Sequence, residues 1–96
     1  MAKYIMLLNW TDQGIKAVKD SPKRLDAAKE VARKLGGEFK KFYMTTGAYD
    51  MVAVLELPDD AAAAKFALTV AAGGAIRSQT LKAFSEESYR AILGAL

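Results

Sequence analysis

Two stretches of this 96-residue chain, Tyr4 to Trp10 and Asp50 to Leu57, are apolar on both of their alternating faces. In the first, Tyr4, Met6, Leu8 and Trp10 alternate with Ile5, Leu7 and Asn9. In the second, Met51, Ala53, Leu55 and Leu57 alternate with Val52, Val54 and Glu56. A strand with one apolar side can lie at a wet surface, whereas a strand with two needs neighbours beside it and cover above and below. Both stretches are therefore expected at the centre of one sheet.

The rest of the chain supplies the neighbours. Ile15 to Asp20 reads as a turn or two of helix, and a firmer helix starts at Ser21 with Pro22 in the favoured first position. Leu25, Ala28, Val31, Ala32 and Leu35 carry its apolar stripe, and Gly36-Gly37 closes it. Glu38 to Thr46 is a strand rich in aromatic and β-prone residues, joined by Gly47-Ala48-Tyr49 to the strand Asp50 to Leu57 as a hairpin. Pro58-Asp59-Asp60 precedes an alanine-rich helix, Ala61 to Ala72, that can approach a sheet closely. Ile76 to Phe84 is a polar strand suited to an edge, and Ser85-Glu86-Glu87 caps a short terminal helix with Tyr89, Ile92, Leu93 and Leu96 on one stripe. The order βαββαβ is that of the split-βαβ, ferredoxin-like α+β sandwich, read as one domain over residues 1–96. Right-handed crossovers then place strands one and three in the middle.

Two helices cover one face of such a sheet and leave the other bare. With hydrophobic residues at 52% and a mean hydropathy of +0.04, the chain has more apolar surface than a domain of its size readily hides. A second copy, packed sheet against sheet, is the expected cover.

Composition also narrows the chemistry. There is no cysteine and no histidine, so disulfides, thiolate nucleophiles, zinc–thiolate clusters and histidine acid–base catalysis are all excluded. No metal site and no cofactor is expected. A net charge of +3, with fourteen basic residues dispersed among eleven acids, does not call for nucleic acid. The RNA-recognition motif shares the element order, but Met6 stands where its stacking aromatic belongs and Asp50 would repel phosphate. The amino-terminal apolar run is too short for a signal segment or a membrane span, so a cytoplasmic location is expected.

The candidate site residues are Trp10, Tyr43, Gly47, Tyr49, Asp50 and Arg77. Gly47 reads as a turn glycine. Asp50 either accepts backbone N–H bonds that fix the hairpin or faces a pocket and binds a polar ligand group. Tyr49 packs its ring and bonds its hydroxyl to a neighbour, or donates a proton. Phe42 and Tyr43 point to opposite faces, so one of them is expected to join Trp10 on the open face. Arg77 is either a solvated edge residue or a bidentate holder of carboxylate or phosphate. Asp12 is expected to cap the turn that follows it, and Lys16, Lys19 and Lys23 to form a solvated stripe.

Gly47-Ala48-Tyr49-Asp50 is also the signature of a family that this chain resembles, the GYD-domain family. The likeness extends through Tyr4 to Lys16, Lys19 to Arg24, Phe42-Tyr43, Pro58-Asp59-Asp60, Lys65 to Leu68 and Arg77 to Glu87. The resemblance implies a bacterial or archaeal dimeric α+β barrel without an established activity. Thr46 to Asp50, followed by an apolar strand and Pro58-Asp59, is more distantly similar to the effector-binding domain of the leucine-responsive regulators. There, the G-x-Y-D hairpin lies by an intersubunit site for small effectors. The combined reading is a non-enzymatic small-molecule-binding or sensory module, a homodimer with a pocket near Gly47 to Asp50. The alternatives are a cofactor-free monooxygenase or isomerase using Asp50, Tyr49, Tyr43 or Arg77, and a purely structural assembly module.

Overall fold

The computed structural model describes residues 1–96. Strand β1 (Ala2–Trp10) leads through helix α1 (Asp12–Lys16) and a 3₁₀ turn (Val18–Asp20) into helix α2 (Ser21–Lys34). Strands β2 (Glu38–Met44) and β3 (Met51–Leu57), helix α3 (Asp60–Ala72), strand β4 (Ile76–Ala83) and helix α4 (Glu86–Gly94) follow. The sheet order is β2-β3-β1-β4 with every pair antiparallel, so β1 and β3 occupy the centre as their two-sided apolar character requires. This is the ferredoxin-like α+β arrangement.

Local chemistry sets the boundaries. Thr11, not Asp12, caps α1: its side-chain oxygen accepts the Gly14 N–H, and its hydroxyl donates to the Gly74 carbonyl at 2.5 Å. Asp59 caps α3 by accepting from Ala62 N–H, and Ser85 caps α4 by accepting from Ser88 N–H. The second strand stops at Met44, two residues earlier than its composition suggests. The connection is a six-residue loop, residues 45–50, not a tight turn. It is closed by Thr45 N–H to Asp50 C=O at 2.8 Å and Thr45 hydroxyl to Tyr49 C=O at 2.6 Å. Lys40 bulges out of β2 where the register slips between Phe39 and Lys41.

Tyr4, Met6, Leu8, Met51, Ala53, Leu55 and Leu57 form the buried floor, and all face the helices. Helix α3 lies low on this floor because Ala62 and Ala63 take little room, which lets Phe66 sink to 2% exposure. Helix α2 behaves differently. Only Ala32 of α2 is fully buried, while Leu25, Ala28 and Val31 on the same stripe remain half-buried. Space is left under α2, and it positions the site described next.

The opposite face has no cover. Ile5, Leu7, Val52, Val54, Tyr43 and Leu81 share it by register. Every residue of α4 is exposed, including Tyr89, Ile92 and Leu93 of its apolar stripe. The accessible surface is 6444 Å², against about 5,400 Å² for a folded monomer of this mass. The radius of gyration is 14.3 Å, against about 12.5 Å for a globule of this length. No helix is long and apolar enough to cross a membrane.

Candidate functional site

A cavity of about 510 Å³ opens between the sheet and the two long helices. Met6, Leu8, Phe42, Met51 and Ala53 make its floor, and Leu25, Ala28, Val31 and Val70 its roof. This volume lies within the range of small-molecule sites, which are mostly apolar with a few placed polar groups. The polar groups here are Ser21, Arg24 and Thr69, with the Trp10 indole N–H donating to Ser21 Oγ at 3.3 Å. The lining contains no carboxylate, lysine or tyrosine. The walls can therefore bind and orient, but they hold no group that exchanges a proton near neutral pH.

Arg24 is the unusual member. Its guanidinium donates to the carbonyls of Ala17 (3.3 and 3.4 Å) and Gly14 (3.5 Å), which satisfies the end of α1. It forms no ion pair with any carboxylate, and its Nε is buried without a hydrogen-bond partner. A buried donor left without an acceptor costs free energy, which sets Arg24 apart from the other lining residues.

The residues singled out in the sequence divide among three places. Trp10 lines the cavity on the helix face, not the open face, because it has the same strand parity as Met6 and Leu8. Gly47 takes φ +128° in the loop with open space around it, as a turn glycine does. Asp50 accepts the Trp10 backbone N–H at 3.0 Å through Oδ2, while its own N–H donates to Leu8 C=O at 2.9 Å and Asn9 Oδ1 at 3.0 Å. The carboxylate thus ties the loop to the end of β1. Tyr49 reaches across the sheet and donates its hydroxyl to Gln79 Oε1 at 2.9 Å. Tyr43 is 53% exposed on the open face beside Val52, and Arg77 is exposed there opposite Asn9. Of these six residues, only Trp10 lines the cavity between sheet and helices. No group of three acidic side chains is placed to hold a metal ion.

The family model of the GYD domain matches residues 4–93. The chain belongs to the GYD family. One relative is the "glutamine synthetase and cystathionine beta-lyase binding protein" of Thermus thermophilus, 32% identical over 84 residues that span 86% of this chain and 88% of that one. Among solved structures, the crystal structure of TTHA0845 from the same organism matches with a TM-score of 0.56 at 23% identity. That match covers 88% of this chain and 95% of that one, and it shows the shared fold.

In this GYD chain, Trp10 of the cavity lining was among the residues singled out in the sequence, and Ser21 and Arg24 were not. A signal was present. Arg24, Ala28, Val31 and Leu35 fall at helical spacing, so the arginine continues the apolar stripe of α2 toward the sheet instead of joining its charged face.

Proposed function

We propose that this GYD chain is a non-catalytic cytoplasmic binding module, which works as a homodimer through its open sheet face and holds a small molecule between sheet and helices. The observation that carries the reading is the cavity of about 510 Å³ whose walls offer apolar surface and fixed donors but no proton-transfer group. The ligand site is thus read under α2, with the Gly47–Asp50 loop acting as its support through Trp10. The dimer reading is supported by surface arithmetic. The surface beyond that of a typical monomer is about 1,000 Å², close to the roughly 800 Å² that each partner of a standard interface buries.

A thermal-shift screen against amino acids, small acids and quinones tests the binding reading. Hits are expected to raise the melting temperature, to be recovered chemically unchanged, and to be lost when Ala28→Trp fills the cavity. Turnover of a hit, or no hit in a broad panel, overturns it. A light-scattering mass of one chain at micromolar concentration overturns the dimer.

A second reading is favoured by α4, whose stripe of Tyr89, Ile92 and Leu93 stands exposed, together with the binding role in the relative's name. In it, the chain docks on an enzyme, with a glutamine synthetase or cystathionine β-lyase as the first to try. Co-elution lost on Ile92→Asp supports this docking, and separate elution of the purified proteins rejects it.

A further inference from the structure

We infer that the ligand of this cavity is an apolar carboxylate, held by its hydrocarbon part under α2 and by its anionic end at Arg24. The inference rests on the binding reading above and names the ligand class for that site.

Three observations converge on it. The first is size: about 510 Å³ equals the volume of roughly 17 waters, enough for a ligand on the order of ten to fifteen non-hydrogen atoms. The second is lining: Met6, Leu8, Phe42 and Val31 offer no side-chain hydrogen bonds, so most of the ligand must be hydrocarbon. The third is charge. Arg24 is the one ionisable residue of the lining, and it has no carboxylate partner within the chain. A ligand carboxylate supplies the missing counter-charge. An amine would place a second cation beside the guanidinium. A neutral alcohol would leave the charge uncompensated. Ser21 lies on the same helical turn as Arg24, with its oxygen already accepting from Trp10, so its hydroxyl hydrogen is free to donate to the same anion.

Trp10 is the chain's single tryptophan and lines the cavity, so its fluorescence reports occupancy without a label. The test titrates the full chain with octanoate, 1-octanol and octylamine, which share a tail and differ in the head group. Octanoate is expected to shift Trp10 emission saturably and to bind about tenfold tighter than octanol, with octylamine weaker still. Arg24→Gln is expected to remove the advantage of octanoate while leaving octanol binding intact, which also shows that the variant keeps its fold. Ala28→Phe, which fills the cavity without adding a second indole, is expected to abolish both. Octanol or octylamine binding as tightly as octanoate to the unmodified chain overturns the carboxylate inference and leaves the cavity reading standing. No saturable response to any of the three overturns both.

Discussion

The Asp50 carboxylate accepts the backbone N–H of Trp10 at 3.0 Å, so the loop that carries the G-x-Y-D signature and the indole that lines the cavity are joined by one charge-assisted bond. The tie is reciprocal, since Asn9 Oδ1 accepts the Asp50 N–H at 3.0 Å. Removing the carboxylate with Asp50→Ala is expected to cost about 2 kcal/mol, the usual size for a partly buried hydrogen bond to a charged group. Urea denaturation measures that loss. Trp10 emission in the folded variant is expected to shift as well, because the end of β1 loses its anchor. Unchanged emission and unchanged stability would show that the signature aspartate has no supporting role.

Gly14 gives a sharper packing prediction. It is buried where α1 passes the Ala75 carbonyl, which also accepts the Thr11 N–H at 3.0 Å. A Cβ at this position would overlap that carbonyl oxygen, and both partners are backbone, so neither can move aside cheaply. Gly14→Ala is expected to cost about 3 kcal/mol in urea unfolding, whereas Gly94→Ala, with nothing nearby, should cost nothing measurable.

Much of this was legible in the sequence, and what was not has identifiable physical reasons. The central positions of β1 and β3 followed from their two apolar faces, and the low seat of α3 followed from its alanines, of which Ala62 and Ala63 are buried. The same two-sided pattern concealed which face meets the helices. Trp10 was therefore expected beside an aromatic of the open face, although parity puts it with Met6 and Leu8 under α2. The cavity was illegible because it is an absence of atoms set by the height of α2 above the sheet, which no local periodicity encodes. The loop between β2 and β3 ran longer than a tight hairpin because Thr45 leaves the strand to bond both Tyr49 and Asp50, which ends β2 at Met44.

Alkaline pH probes a different corner of the fold. The buried Tyr4 hydroxyl donates to Asp60 Oδ1 at 2.6 Å, and that bond, with burial and the negative charge of Asp60 adding to it, raises the phenol from 10.0 to about 12. A folded pKa above the unfolded one favours the protonated tyrosine. This contribution is complete below pH 10 and is lost as pH climbs toward 12. Asp60 shifts the other way, held below its ordinary value by the Tyr4 bond and then by Lys82, so its contribution fades only as the solution becomes strongly acid. The Lys82–Asp60 pair is exposed and adds little. Between pH 9 and pH 11.5, roughly the span over which the unfolded phenol ionises and the folded one begins to, the denaturation midpoint is expected to fall more in the native chain than in Tyr4→Phe. Equal falls would mean that the phenol does not carry the alkaline sensitivity.

The open sheet face supplies the last prediction. Val52 lies on it between Tyr43 of β2 and Leu7 of β1, and its half-exposed side chain can be replaced by lysine without burying charge in an isolated chain. In a dimer packed sheet against sheet, the same lysine and its symmetry mate would meet inside an apolar interface, each without a counter-ion. An unpaired buried charge costs about 3 kcal/mol or more. Val52→Lys is therefore expected to weaken association by at least about a hundredfold, while the unfolding free energy of the separated chains changes by less than about 1 kcal/mol. Sedimentation equilibrium across nanomolar to micromolar concentration reads both species. Arg77→Ala, at the rim opposite Asn9, should leave association nearly unchanged by comparison, since exposed rim charges contribute little. If Val52→Lys sediments as the native chain does, the sheet face is not where two copies meet.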